Sequence, residues 1–370
     1  MARPAMPATC RRPGTVIVTV ASFNPRTIAK DTDWIALSDA GLINTALASA
    51  AVPRQQPSQT GLIQKGLFVM ELALPMTGAM VLMNHQSDHG WPSTFAVFHD
   101  LAAGLVILHR QGKSVARHLL PGPLPYGRGT GRLSFRFDAP ARVWDMTFEL
   151  LASDPPAVIA STGRNPMPLH LSDIQPMCTA PRSTGAVLWF GLTRGAAPPT
   201  SAAWIGQRTP VETSLGPVAA GNLVPGTIIM TADHGPLPLR ARRNLTLPAR
   251  GSFAPVLLRA PFFGLRQDLL VSADQLVAVT GAEAEYLFAE ESVLMRAGDM
   301  VDGRTALTDQ RRAVIDCVDL DLGRPALIEA DGCLIATGHH DGAEASLRCL
   351  HSYEVLTLMA LLGRTVRRSA

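Results

Sequence analysis

Lysine is nearly missing from this chain. Of its 33 basic residues only Lys30, Lys65 and Lys113 are lysine, and the rest are arginine, which reads as a coding bias. Charge as a whole is sparse, 17% of 370 residues with a net of +3, and basic runs stop at two or three residues. A nucleic-acid partner needs a basic stripe or patch, so that class is excluded. Cysteine is scarce and odd in number: Cys10, Cys178, Cys317, Cys333 and Cys349, with no C-x-x-C pair. A disulfide framework is therefore not expected, and a reducing, cytoplasmic setting is the plain reading; secretion without a classical signal peptide is the alternative. Cys317 and Cys333 flank a hairpin-like segment, but two small buried apolar residues are the simpler account. Long apolar runs are also missing. Thr15–Ala21 follows Arg11 and Arg12 but is short, β-branched and without a small-residue cleavage site, and nothing approaches the ~20 apolar residues of a membrane span.

What is abundant is Gly, Pro and short β-type runs. These point to an all-β chain, long enough for two domains. An N-terminal extension, 1–59, holds a strand at Thr15–Val20, a helix over Asp39–Ala51 and a Pro-punctuated link. Residues 60–178 read as strand after strand: Leu67–Met76, Met80–Met83, Phe95–Phe98, Leu105–His109 and Val115–Leu119. Leu133, Phe135 and Phe137 alternate with polar residues, and Trp144, Met146, Phe148 and Leu150 repeat the pattern, so each strand has an inside and an outside. A late strand at Leu169–Ile174 would close a two-sheet β-sandwich. Residues 179–201, rich in Pro, Gly and Ala, read as a linker, with Val187–Phe190 a strand edge inside it. Residues 202–338 follow as a second domain, and 339–370 as a tail whose Val355–Leu362 is a surface helix.

The second domain opens with Trp204–Thr231, WIGQRTPVETSLGPVAAGNLVPGTIIMT. Thr209, Val211 and Thr213 alternate with Pro210 and Glu212. A Gly-Pro turn follows, then Val224-Pro225-Gly226, a β-branched strand and an Asp233-His234-Gly235 turn. This order resembles the opening of the Hint (hedgehog/intein) domain in its bacterial stand-alone form. Further blocks resemble the same family in order: Leu257–Ser272, Glu290–Gly303 and Leu320–Gly332. The resemblance implies a β horseshoe and an autoprocessing chemistry that begins with a nucleophilic Cys attacking its own preceding carbonyl. It also implies a His that protonates the leaving nitrogen. Laid on this chain, the Cys position is Trp204 and the block around Ser272 puts Gln275 at the His. A further His position falls on Pro325. Tryptophan, glutamine and proline carry none of that chemistry. The expectation is a Hint-type protein without autoprocessing, acting as an interaction or scaffold module. An active form would need another nucleophile, such as Ser201, Thr209 or Cys178.

The sandwich more weakly resembles a concanavalin-type, laminin-G-like jelly roll, through its Trp-bearing loop and the Phe135–Pro140 turn. That implies a glycan-binding alternative, with Trp91, Trp144 and Trp189 as a sugar platform, although core packing suits Trp144 better. His85, Asp88, His89 and Trp91 are the candidate binding residues. With His99 and Asp100 they include the residue types of a Zn or other divalent-cation site, but their spacing is loose and a solvated loop is the plainer reading, so no metal and no cofactor is expected. Asp319 and Asp321 alternate with Val318 and Leu320 and should face outward. The partner is an unidentified protein or glycan.

Overall fold

The computed structural model describes residues 34–43, 61–88, 92–125, 127–151, 157–180, 184–195, 202–337 and 347–368. Thr15–Val20, the link over 53–59, Ser201, His89 and Trp91 lie outside these residues.

The first half is a β-sandwich. One sheet of seven strands runs in the spatial order Ala157–Arg164, Val143–Leu150, Gly129–Asp138, Lys65–Leu74, Val187–Thr193, Trp34–Leu37 and Gly41–Leu42. A four-stranded meander, Met80–Asp88, Pro92–Asp100, Gly104–Gln111 and Ser114–Leu120, faces it. Every pairing is antiparallel, and alternate side chains from both sheets meet in one core that includes Phe68, Phe95, Phe135, Phe148 and Trp144.

Three expectations are corrected here. Val187–Thr193 is not an edge within a linker. It pairs with Lys65–Leu74 on one side and Trp34–Leu37 on the other, and all but Leu188 of its residues are buried. Its run of apolar residues on both faces is the mark of a strand covered twice. Leu169–Ile174 is extended only at Leu169–His170. The helix Leu171–Thr179 follows, burying Ile174, Met177 and Cys178 at i, i+3 and i+4. Asp39–Ala51 is not helical at its start: Asp39 takes φ 64°, and Gly41–Leu42 folds back on Trp34–Leu37 as a two-residue hairpin arm.

The second half builds two antiparallel sheets on a common core. One holds Ala241–Pro248, Val314–Asp321, Ile205–Gly206, Leu269–Val271, Val256–Leu258 and Ala306–Thr308. The other is built around Pro210–Thr213, Ile228–Thr231, Ala326–Ala330, Cys333–Thr337 and Leu276–Thr280. Thr209, Val211 and Thr213 point inward together, as their alternation requires. The C-terminal helix, Ser352–Arg368, rests Val355, Leu358 and Met359 against this core.

The two halves share an apolar cluster. Trp34, Leu37, Leu67, Val69 and Trp189 of the sandwich meet Trp204, Leu245, Leu247, Phe253, Ile315 and Cys317 of the second half. Tertiary structure thus buries both faces of Val314–Asp321. Ile315 and Cys317 face the shared cluster, and Val318 and Leu320 face the second half's own core. Asp319, expected to face outward, is 7% exposed for this reason.

Candidate functional site

The site forms where the second half begins. Ile205–Gly206 is only two residues long, but it inserts between Val314–Asp321 and Leu269–Val271, with Ile205 opposite both Val318 and Val271. That register sets Trp204 against Ser272. The Ser272 N–H donates to the Trp204 carbonyl at 3.1 Å, and the Trp204 N–H donates to Ser272 Oγ at 3.2 Å. The following turn, closed by the Gln275 N–H on the Ser272 carbonyl at 3.2 Å, brings Gln275 to the same place. Its Nε2 donates to the Ala336 carbonyl at 2.7 Å and to the Leu276 carbonyl at 3.1 Å.

Three of the four expected positions therefore come together. Trp204 and Gln275 line one cavity with Asp319, Ile328, Ile335 and Thr337. The cavity is about 10 Å³, room for one water molecule. Pro325 stands outside its lining, half-buried ahead of the strand Ala326–Ala330. Trp204 is 2% exposed, and its place in the shared apolar cluster makes it a packing residue at the end of the connector. Asp319, which the sequence reading turned outward, and Thr337, which it did not single out, both belong to the lining. Asp319 pairs with Arg243 on the neighbouring strand Ala241–Pro248. The period-two pattern of Val318–Asp321 carries no sign that the outer face is covered, so alternation alone misassigns it.

Among the described residues no thiol near the site is poised to react. Cys317 lies within the shared cluster, and burial, with Asp316 and Asp319 adding to it, pushes its thiol up. Burial likewise pushes Cys333 up to about 12. Cys317 and Cys333 belong to different apolar clusters, and both are free. Cys178 sits in the sandwich core, with burial and Asp39 pushing it to about 12. It is 1% exposed, and burial disfavours its thiolate. Thr209 is 6% exposed, its N–H donating to the Gly206 carbonyl and its own carbonyl accepting from Ala220.

Of the candidate binding residues of the sandwich, His85 and Asp88 lie among the described residues, as do His99 and Asp100. His85 lies on the inner side of its strand with Nε2 3.7 Å from Asp173 Oδ1, while Ser93 Oγ donates to Asp173 Oδ2 at 3.2 Å. Asp88 is exposed at the end of the same strand. His99 is buried on the neighbouring strand four rungs away, where Met80 is its partner, and its Nδ1 bonds the Gly78 carbonyl at 2.9 Å. Asp100 accepts from the Ala102 and Ala103 N–H groups. Among the described residues no group of three or more His, Cys, Asp or Glu is placed to hold a metal ion. Trp144 and Trp189 are buried, Trp144 against Phe135 and His118 and Trp189 against Trp34 and Phe253, so neither is presented as a sugar platform.

Comparison with known proteins places a Hint domain model on residues 206–342. No curated protein matches the chain. Among solved structures, a leech intramolecular trans-sialidase complexed with 2,7-anhydro-Neu5Ac is similar over 46% of this chain at 13% identity, with a TM-score of 0.26. The match spans 26% of that enzyme's length, and so slight a likeness carries no argument.

Proposed function

Residues 206–342 are a Hint domain, and from that premise we propose that it has no autoprocessing activity and serves as a scaffold that keeps the N-terminal sandwich attached. The carrying observation is Trp204. At the residue where the resemblance calls for a nucleophile, a large apolar ring is buried against the sandwich. Catalysis by acyl transfer needs a nucleophile, a proton shuttle and space for a tetrahedral centre. Here Ser272 Oγ is held by the Trp204 N–H, the Gln275 amide is committed to the Ala336 and Leu276 carbonyls, and the cavity has room for one water. A side-chain amide does not titrate near neutral pH and so cannot serve as general acid or base. Each feature supports an inert domain, and together they support one in which catalytic volume has become packing.

Intact mass after purification, then after incubation with dithiothreitol or hydroxylamine, tests the reading. A single species at 39.4 kDa is expected in each case. Scission just before residue 204 under thiol would overturn it. The double variant Trp204→Cys with Gln275→His tests the register. Cleavage before residue 204, even slowed ~100-fold by a misplacement of ~1 Å, would place the ancestral nucleophile there.

A further inference from the structure

The contact between the halves has the composition of an obligate interface. Its apolar centre carries three tryptophans, Trp34 and Trp189 from the sandwich and Trp204 from the Hint side, each no more than 2% exposed. Trp34 and Trp189 meet edge to face at 5.6 Å, and Trp189 meets Phe253 of the Hint side in the same way at 5.6 Å. At the margin the short turn Gly251–Phe253 enters the face of the sandwich sheet. There Glu71, fully buried, accepts at Oε1 from Arg132 Nε and Nη2 at 3.0 and 2.8 Å. Its other bonds come from across the contact: Ser252 Oγ donates to Oε1 at 2.6 Å and the Ser252 N–H to Oε2 at 2.8 Å. Arg132 Nη2 also donates to Ser252 Oγ at 2.9 Å, and its guanidinium lies 5.6 Å from the Phe253 ring centre. The approach is so close that a Cβ on Gly251 would stand 2.2 Å from Glu71 Oε2, at a φ of 60°.

A buried carboxylate is tolerated only when paired and fully bonded. Separation would strip Glu71 of the Ser252 donors while baring the aromatic centre. We propose that this face of residues 202–337 is a binding surface for the sandwich that holds it without the covalent connection, so that cutting the connector at 196–201 leaves a tight one-to-one complex. This goes beyond the absence of self-cleavage, since it states that cleavage by any agent would release nothing.

The experiment uses the full chain with a site-specific protease sequence inserted between Thr200 and Ser201. After cutting, the two pieces are expected to co-elute at the position of the uncut chain at micromolar concentration and to separate only in denaturant. Pieces that elute apart in native buffer, each retaining its β spectrum, would overturn the proposal. Phe253→Ala, in the inserted turn, should raise the dissociation constant of the cut complex by about 100-fold. An unchanged constant would remove that turn from the anchor. The uncut wild type, weighed separately, keeps the two readings apart: a chain that cut itself, with pieces that still co-eluted, would refute the inert domain and support this surface.

Discussion

Trp204 concentrates the argument into one side chain. It is 2% exposed and shared by both halves, so Trp204→Ala should cost ~3–5 kcal/mol in urea unfolding, as large-to-small changes in a core do. A loss under ~0.5 kcal/mol, the range of surface substitutions, would put it outside the core. Two histidines supply a second residue-scale test. Burial, then His118 and His170, drives His109 down to about 4, and burial drives His118, set between the Phe135 and Trp144 rings, to about 4. Their ordinary value is 6.5, so between about 6.5 and 4 the unfolded chain binds protons that the folded one refuses. Stability is therefore flat above neutrality and falls as pH drops through that window, by up to about 3 kcal/mol for each histidine. Thermal melts at pH 7.5 and 5 should show it, and His118→Phe should shrink the difference. An equal pH dependence in that variant would mean that His118 titrates normally.

At the scale of elements, Val187–Thr193 decides what can stand alone. It lies between Lys65–Leu74 and Trp34–Leu37, so a piece ending at residue 178 lacks an inner strand and exposes the edge of Lys65–Leu74. Residues 60–178 should be expressed as an aggregating or loosely folded chain, whereas 34–195 should give a folded β spectrum with a cooperative melt. A cooperative melt for 60–178 would show that the strand is dispensable. Val143–Leu150 and Pro210–Thr213 were legible beforehand because one face of each is buried and the other only half-buried. Val187–Thr193 was hidden for the opposite reason: it is apolar on both faces and sits among prolines and glycines, which read as a connector. Leu169–Thr179 was misread because Pro176 lies inside a helix whose buried residues follow a helical period for only one turn.

For the whole molecule, the Glu71–Arg132 ion pair lies within the sandwich but at its contact with the second half, where Ser252 completes the bonding of Glu71. Arg132→Met should destabilise by ~3–5 kcal/mol, since it leaves Glu71 charged, buried and short of a partner, and Glu71→Met added to it should return part of that loss. The cycle is read by chemical denaturation, and strict additivity would mean that the two groups do not act as a pair. Protease nicking should begin within 196–201, between Gly195 and the buried Trp204, before either strand set is cut.

The sequence by itself determined the all-β class, the alternation of individual strands, the Hint-type order of blocks after Trp204 and the presence of Trp204 and Gln275 where the resemblance calls for Cys and His, because each is carried by residue identity or by a local period. Local patterns see one strand and its two faces. They do not see what later covers a face. Only the tertiary structure decided that Asp319 is buried beside Trp204, that Pro325 stands apart from the site, that His85 and His99 lie apart on two neighbouring strands, and that Glu71 takes its last hydrogen bonds from Ser252, 181 residues away. Each depends on which surfaces meet across long stretches of chain, and burial of apolar area and satisfaction of polar groups are settled only when they do.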